Sequence, residues 1–181
     1  MRRVLSKFRH SNSGSAGVEF ALIAPAFFLL AFAILETGMI FFGSMALENG
    51  VRVAGRLIRT GQAQNLNMTQ DQFRTQVCNQ VSYLLSCDPG KLLIDVRSFS
   101  SFGGAGYPAA LDAQGNLNPN LGAYQPGGSS QVNGQNAIVL LRVFYKWDLF
   151  TPLFAAFFEN MGHGSNLRLL SASFAFKNEP Y

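Results

Sequence analysis

A long apolar run near the N-terminus is the feature that most constrains how this chain can fold. The run extends from residue 20 to residue 42 and contains one acidic residue, Glu36. A helix needs about 20 predominantly apolar residues to cross the hydrocarbon core of a bilayer, so this run is long enough. A cleaved secretory signal has a shorter apolar region, followed promptly by a small-residue site, and the run lacks both features. The sequence therefore predicts a retained transmembrane helix, with Pro25 near its start.

Basic residues in front of the apolar run predict its orientation. Residues 1–14 carry a charge of +4, and cationic flanks remain on the cytoplasmic side of a membrane. The whole chain has 14 basic and 10 acidic side chains. Because four of the basic ones lie in this head, which has no acid, the rest of the chain is balanced. The basic character is therefore a topology signal, and we expect the lipid bilayer as a partner and no nucleic acid.

The junction between the basic head and the apolar run contains a processing pattern. Gly14 is followed by Ser15, by Glu19 five residues after the glycine, and by the aromatic Phe20. This pattern resembles the prepilin cleavage motif, in which a membrane peptidase cuts after the glycine on the cytoplasmic side. The resemblance implies cleavage between Gly14 and Ser15, which would make Glu19 the fifth residue of the mature chain.

Glu19 has two interpretations at this position. A carboxylate close to the bilayer needs a partner, and the freed α-amine of a neighbouring subunit could supply one. Alternatively, Glu19 lies at the level of the lipid headgroups, where a charge costs little. The processing motif favours the first interpretation.

A wider stretch, residues 17–25 (GVEFALIAP), resembles the opening of the TadE-like proteins, the minor pseudopilins of tight-adherence (Flp-type) pilus systems. The resemblance continues with Glu36 and Gly38 near the end of the apolar run. A small-residue segment with arginines follows over residues 46–59. The related TadF-type proteins share this opening.

The family resemblance implies a function in the initiation and assembly of a pilus at the bacterial inner membrane. It implies a single-pass protein with a cytoplasmic N-terminus and a periplasmic C-terminal domain. The partners it implies are a prepilin peptidase, other minor and major pilins, and the inner-membrane assembly platform. The residues expected to pack the helix against other pilins are Glu19, Phe20, Pro25 and Glu36.

An α+β fold is predicted for the whole chain, with a basic leader over residues 1–14, a helix over 15–60 and a periplasmic domain over 61–181. A capping-box pattern at Thr69 begins a second helix, which we expect to pack on the sheet. Alternating or continuous apolar residues predict a roughly three-stranded antiparallel sheet. The predicted strands cover residues 91–99, 137–147 and 168–177.

Small residues recur every four positions at Ala46, Gly50 and Ala54, so they share one face of the predicted helix. Such a face lets another helix approach closely. The same pattern is equally expected if the helix packs on its own domain, and the sequence leaves both alternatives open.

Cys78 and Cys87 are the two cysteines, and outside the cytoplasm such a pair is typical of a disulfide. Nine residues of continuous helix would span about 13.5 Å, whereas bridged Cα atoms lie within about 7 Å. A disulfide therefore requires the helix to break and the chain to fold back before Cys87. The alternative is a pair of buried free thiols.

The sequence leaves the function of two further segments undecided. Residues 103–135 are rich in Gly, Pro, Asn and Gln, and either contact another pilus component or form a mobile insertion. Thr151 and Pro152 predict a short helix, whose phenylalanines rest on the membrane surface, bind a partner or pack on the sheet.

Catalytic and metal-binding motifs are not found in the sequence, so we expect no enzymatic activity, no metal and no cofactor. The alternative hypothesis, which belongs to another functional class, is an uncleaved, membrane-anchored envelope protein. Such a protein would bind a ligand or partner, or act as an enzyme, through its periplasmic domain. Processing of the N-terminus distinguishes the two hypotheses.

Overall fold

The computed structural model describes residues 15–104, 106–127, 137–151 and 155–179. Gly14 lies outside the described residues, as does Pro152. The described part has the predicted α+β architecture, in which one long helix precedes shorter helices and a three-stranded sheet. In chain order, the elements are α1 (Ser15–Arg59), α2 (Gln62–Asn65), α3 (Gln70–Val81), β1 (Leu92–Phe99), a 3₁₀ turn (Phe102–Gly104), β2 (Ile138–Asp148), α4 (Ala155–Phe158) and β3 (Leu167–Lys177).

The sheet is antiparallel throughout, and β2 is its central strand. Val143 in the middle of β2 pairs with Ile94 of β1 on one side and with Ala172 of β3 on the other. Most residues of β2 are buried whichever face of the sheet they point to. This burial explains why the strand has a nearly continuous apolar sequence rather than an alternating one.

The second half of α1 packs on the domain, and small residues make this packing possible. Ala46 and Ala54 are almost fully buried. A Cβ atom at Gly50 would lie 2.6 Å from Val81 Cγ1 of α3, and one at Gly55 would lie 2.7 Å from Phe174 Cδ1 of β3. The small-residue face is therefore used within the chain, which resolves the alternative that the sequence left open.

The second helix, α3, has the predicted capping box. The Thr69 hydroxyl accepts a hydrogen bond from the backbone N–H of Gln72, and the Gln72 side chain accepts one from the backbone N–H of Thr69. The apolar residues of α3 that face α1 and the sheet are fully buried: Phe73, Val77 and Val81.

The helix α3 ends before Cys87, and the chain folds back to form a disulfide between Cys78 and Cys87. The two Cα atoms are 5.7 Å apart, well within reach of a bridge. The Tyr145 hydroxyl of β2 accepts a hydrogen bond from the backbone N–H of Ser86 at 3.0 Å, so the returning segment is also joined to the sheet.

A buried carboxylate, Asp95, holds part of the Gly- and Pro-rich loop on β1. Its side chain is 0% exposed and accepts hydrogen bonds from the backbone N–H groups of Gly122 and Ala123 at 3.1 and 3.0 Å. Next to it, Val96 forms a bridge with Tyr124. Residues 122–125 therefore cover the outer edge of β1, whereas residues 128–136 of the same loop lie outside the described part.

Candidate assembly surface on the N-terminal helix

The first half of α1 projects away from the rest of the described chain. Most of its large apolar side chains are exposed from Val18 to Leu35, for example Phe20 at 67% and Leu22 at 76%. At 1.5 Å per residue, the whole of α1 measures about 65 Å, roughly twice the thickness of a bilayer core. An apolar surface of this size is not stable in water and requires lipid or other helices to cover it.

Among the described residues, one helix is long and apolar enough to cross a membrane, and it is α1. This fits a single-pass membrane anchor. The residues with which the sequence predicted helix packing lie at different heights along it. Glu19, Phe20 and Pro25 are exposed in the projecting half, and the helix continues through Pro25. Ser15 is the first residue of α1.

Glu36 differs from these three residues because its carboxylate faces its own domain. Its side chain is nearly fully buried. One oxygen accepts a hydrogen bond from the backbone N–H of Phe150 at 2.7 Å, and the other accepts one from Thr151 at 2.8 Å. An acid inside an apolar helix is costly unless it is hydrogen-bonded, and these two bonds offset that cost.

These bonds also fix the domain to α1 at the level where the helix leaves its projecting half. The two partners are separated by more than a hundred residues, so no local sequence signal could have indicated the contact. The sequence identified Glu36 only as an acid near the end of the span.

Replacing Glu36 with glutamine should loosen this contact. The amide keeps one acceptor oxygen but turns an NH₂ group toward a backbone N–H, so one donor loses its partner at a cost of about 1–3 kcal/mol. We expect faster amide hydrogen exchange at Phe150 and Thr151 in the Glu36→Gln protein. Exchange at Val143 in the centre of the sheet should be unchanged, and equal exchange at all three amides in both proteins would contradict the role given to Glu36.

A further feature of the domain is a carboxylate in the turn between α4 and β3. Glu159 accepts hydrogen bonds from the backbone N–H groups of Gly164 and Asn166 at 2.7 and 3.1 Å. The bond from Gly164 is the main cause that holds the pKa of Glu159 below its usual value. Burial opposes it, and the bond from Asn166 and the neighbouring His163 add to the lowering. The arrangement closes a turn, and within the described residues no group of three or more His, Cys, Asp or Glu side chains is placed to hold a metal ion.

The fold and the projecting helix together define a class of protein, in which one candidate membrane anchor carries a small α+β domain at its C-terminal end. A family model described as TadE-like protein matches residues 14–56, which is nearly all of α1. The resemblance to the TadE-like family is thus confirmed over this segment. A search of curated proteins and a search of solved structures gave no match.

The TadE-like match indicates a protein associated with a tight-adherence pilus system, whose partners in general are pilins. Members of this family are pilus components, and the family is not one of enzymes. The match includes Gly14, the exposed half of α1 and most of the half that packs on the domain.

Proposed function

We propose that this protein is a minor pseudopilin needed for the initiation and assembly of a tight-adherence (Flp-type) pilus. The observation that carries the proposal is the coincidence of the TadE-like match with a helix whose first half makes little contact with its own domain. A helix of this kind buries its apolar surface in lipid before assembly and against other pilin helices after it.

Orientation and processing belong to the same proposal. The basic head remains in the cytoplasm of the bacterium, α1 crosses the inner membrane and the domain lies in the periplasm. A prepilin peptidase cuts between Gly14 and Ser15, so that the new α-amine begins α1 one helical turn before Glu19. The α-amine of a neighbouring subunit pairs with Glu19 and fixes the register of the two helices.

The mechanism is structural rather than catalytic. The projecting half of α1, with Phe20 and Pro25, packs beside the helices of other minor and major pilins. The inner-membrane assembly platform receives the resulting complex. Glu36 contributes indirectly, because it holds the domain to the helix that packs against the other pilins.

Replacing Glu19 with alanine should abolish or strongly reduce piliation and leave processing and membrane insertion intact. The expected loss follows from the cost of an α-amine left without its carboxylate in an apolar helix contact. Pili would be counted by electron microscopy in a deletion strain complemented with each variant. The processed form would be followed by mass spectrometry of membrane extracts.

The matched control is Glu48→Ala, on the same helix. Glu48 is exposed, at 54%, and makes only a surface ion pair of 3.7 Å with Arg52, so its removal should leave piliation normal. Normal pili from the Glu19→Ala strain would contradict the role given to Glu19. Normal pili from the deletion strain itself would contradict the proposed function and favour the anchored envelope protein.

A further inference from the structure

A crevice of about 350 Å³ lies between α1 and the beginning of β3. Thr37, Ile40, Phe41 and Ser44 of α1 form one wall, and Phe158 and Arg168 stand on the other. The volume is within the range of small-molecule sites. Polar and apolar side chains contribute to the lining in equal measure, and among the described residues Arg168 is the one charged side chain in it.

The crevice opens where α1 is still apolar on its outer side. Phe41 and Met45 are exposed at 67% and 68%, and the first exposed charge beyond Glu36 is Glu48. From Val18 to Met45 the apolar surface measures about 40 Å, which is about 10 Å more than a bilayer core. The outermost turns of this surface, and the crevice with them, therefore reach into the headgroup layer of the outer leaflet.

Exposed phenylalanines of the domain extend the apolar surface beside this part of α1. Phe150, whose backbone N–H binds Glu36, is exposed at 69%. Phe157 of α4 is exposed at 81%. Aromatic side chains are favoured at the membrane interface, so both residues support the same depth for the base of the domain.

Arg168 has hydrogen-bonding capacity to spare at this depth. One of its terminal nitrogens donates to the backbone oxygen of Phe158 at 2.6 Å, and none of the ion pairs formed among the described residues includes Arg168. The hydroxyls of Thr37 and Ser44 donate to backbone oxygens of their own helix. The guanidinium is therefore the cationic group among the described lining residues that can bind an anion, and the hydroxyl of Ser171 also lines the crevice.

We propose that this crevice binds one phospholipid of the outer leaflet. The phosphate lies on the Arg168 guanidinium, which matches the geometry of phosphate oxygens. An acyl chain follows Ile40 and Phe41 toward the bilayer core. The inference rests on the membrane insertion of α1 proposed above, and it gives the domain a defined height above the bilayer.

The sole tryptophan, Trp147, provides the probe for this site. Its ring packs against Gly43, which precedes Ser44 of the crevice, and a Cβ on Gly43 would lie 3.0 Å from the ring. The full chain in detergent micelles would be titrated with phosphatidylglycerol brominated on the acyl carbons nearest the headgroup. Trp147 fluorescence should be quenched in a saturable way.

Three variants make the test specific to Arg168. In Arg168→Gln, half-maximal quenching should need about tenfold more brominated lipid, since a charge-assisted phosphate contact is lost. Arg168→Lys keeps the charge and should bind more tightly than Arg168→Gln. Arg52→Gln removes an exposed arginine further along α1 and should behave as wild type. Near-ultraviolet circular dichroism of Trp147 without lipid verifies that each variant is folded.

Several results would overturn the proposal. Equal quenching of wild type and folded Arg168→Gln would do so, and so would displacement of the brominated lipid by inorganic phosphate, which would make the ligand a free anion. Carbonate extraction from vesicles shows whether the wild-type protein is anchored in the membrane. If an anchored wild type shows no saturable quenching, the crevice does not bind lipid, and a protein partner becomes the alternative occupant. A wild type that carbonate extracts would contradict membrane anchoring itself, so the two failures are distinguishable.

Discussion

Replacing Asp95 with alanine should lower the free energy of unfolding of the domain by about 3–5 kcal/mol, because it leaves a buried cation without its partner. Asp95 accepts two hydrogen bonds from Arg142, whose side chain is also buried, at 3.1 and 2.5 Å. Arg97 donates to both oxygens of Asp95 as well. The same substitution removes the acceptor for the backbone N–H groups of Gly122 and Ala123.

Chemical denaturation of the purified full chain in micelles, followed by Trp147 fluorescence, measures this change. The matched control is Asp71→Ala, which removes an acid that pairs with Arg74 at the surface of α3. Because Asp71 is largely exposed, the control should lose no more than about 1 kcal/mol. Equal losses in the two variants would contradict the central role of Asp95.

The same cluster predicts a pH dependence of stability. Burial by itself raises the pKa of Asp95, but hydrogen bonds from Arg97 and Arg142 outweigh it and hold the pKa below its usual value. Folding therefore gains stability from the ionised carboxylate above the pKa of an unfolded aspartate, about 4, and loses it as the pH falls through the folded value. The difference between wild type and Asp95→Asn should be largest near neutral pH and shrink in acid.

Removing the disulfide should produce the next largest effect. Replacing both Cys78 and Cys87 with serine should lower the free energy of unfolding by about 2–4 kcal/mol, since the unfolded chain regains the freedom that the bridge removes. If the lost stability comes from the disulfide, reductant should destabilise the wild-type protein by a similar amount and should leave the stability of the double variant unchanged. A reductant effect of equal size in both proteins would show that the bridge does not stabilise the fold.

Local patterns were sufficient to predict most elements of the domain. The Thr69 capping box lies where the sequence placed it, and the three strands deviate from prediction by one residue at some ends. The continuous apolar run of β2 correctly indicated a central strand. These predictions succeeded because helix caps and strand burial depend on neighbouring residues, which the sequence displays directly.

Contacts between distant segments could not be predicted in the same way. The small face of Ala46, Gly50 and Ala54 has the same helical period whether it meets another subunit or its own α3. Likewise, nothing in the strand pattern indicated that Asp95 would be opposite Arg142, or that Glu36 would bind the segment after β2. Such pairs are created by the tertiary fold, so their residues looked like isolated charges in apolar surroundings.

The N-terminus of the protein in its own membrane tests the central claim most directly. Mass spectrometry and N-terminal sequencing would be performed on protein extracted from membranes of strains with and without the prepilin peptidase. We expect a chain that begins at Ser15 when the peptidase is present and at Met1 when it is missing. A chain that begins at Met1 in both strains would contradict pilin-type processing and favour an anchored envelope protein.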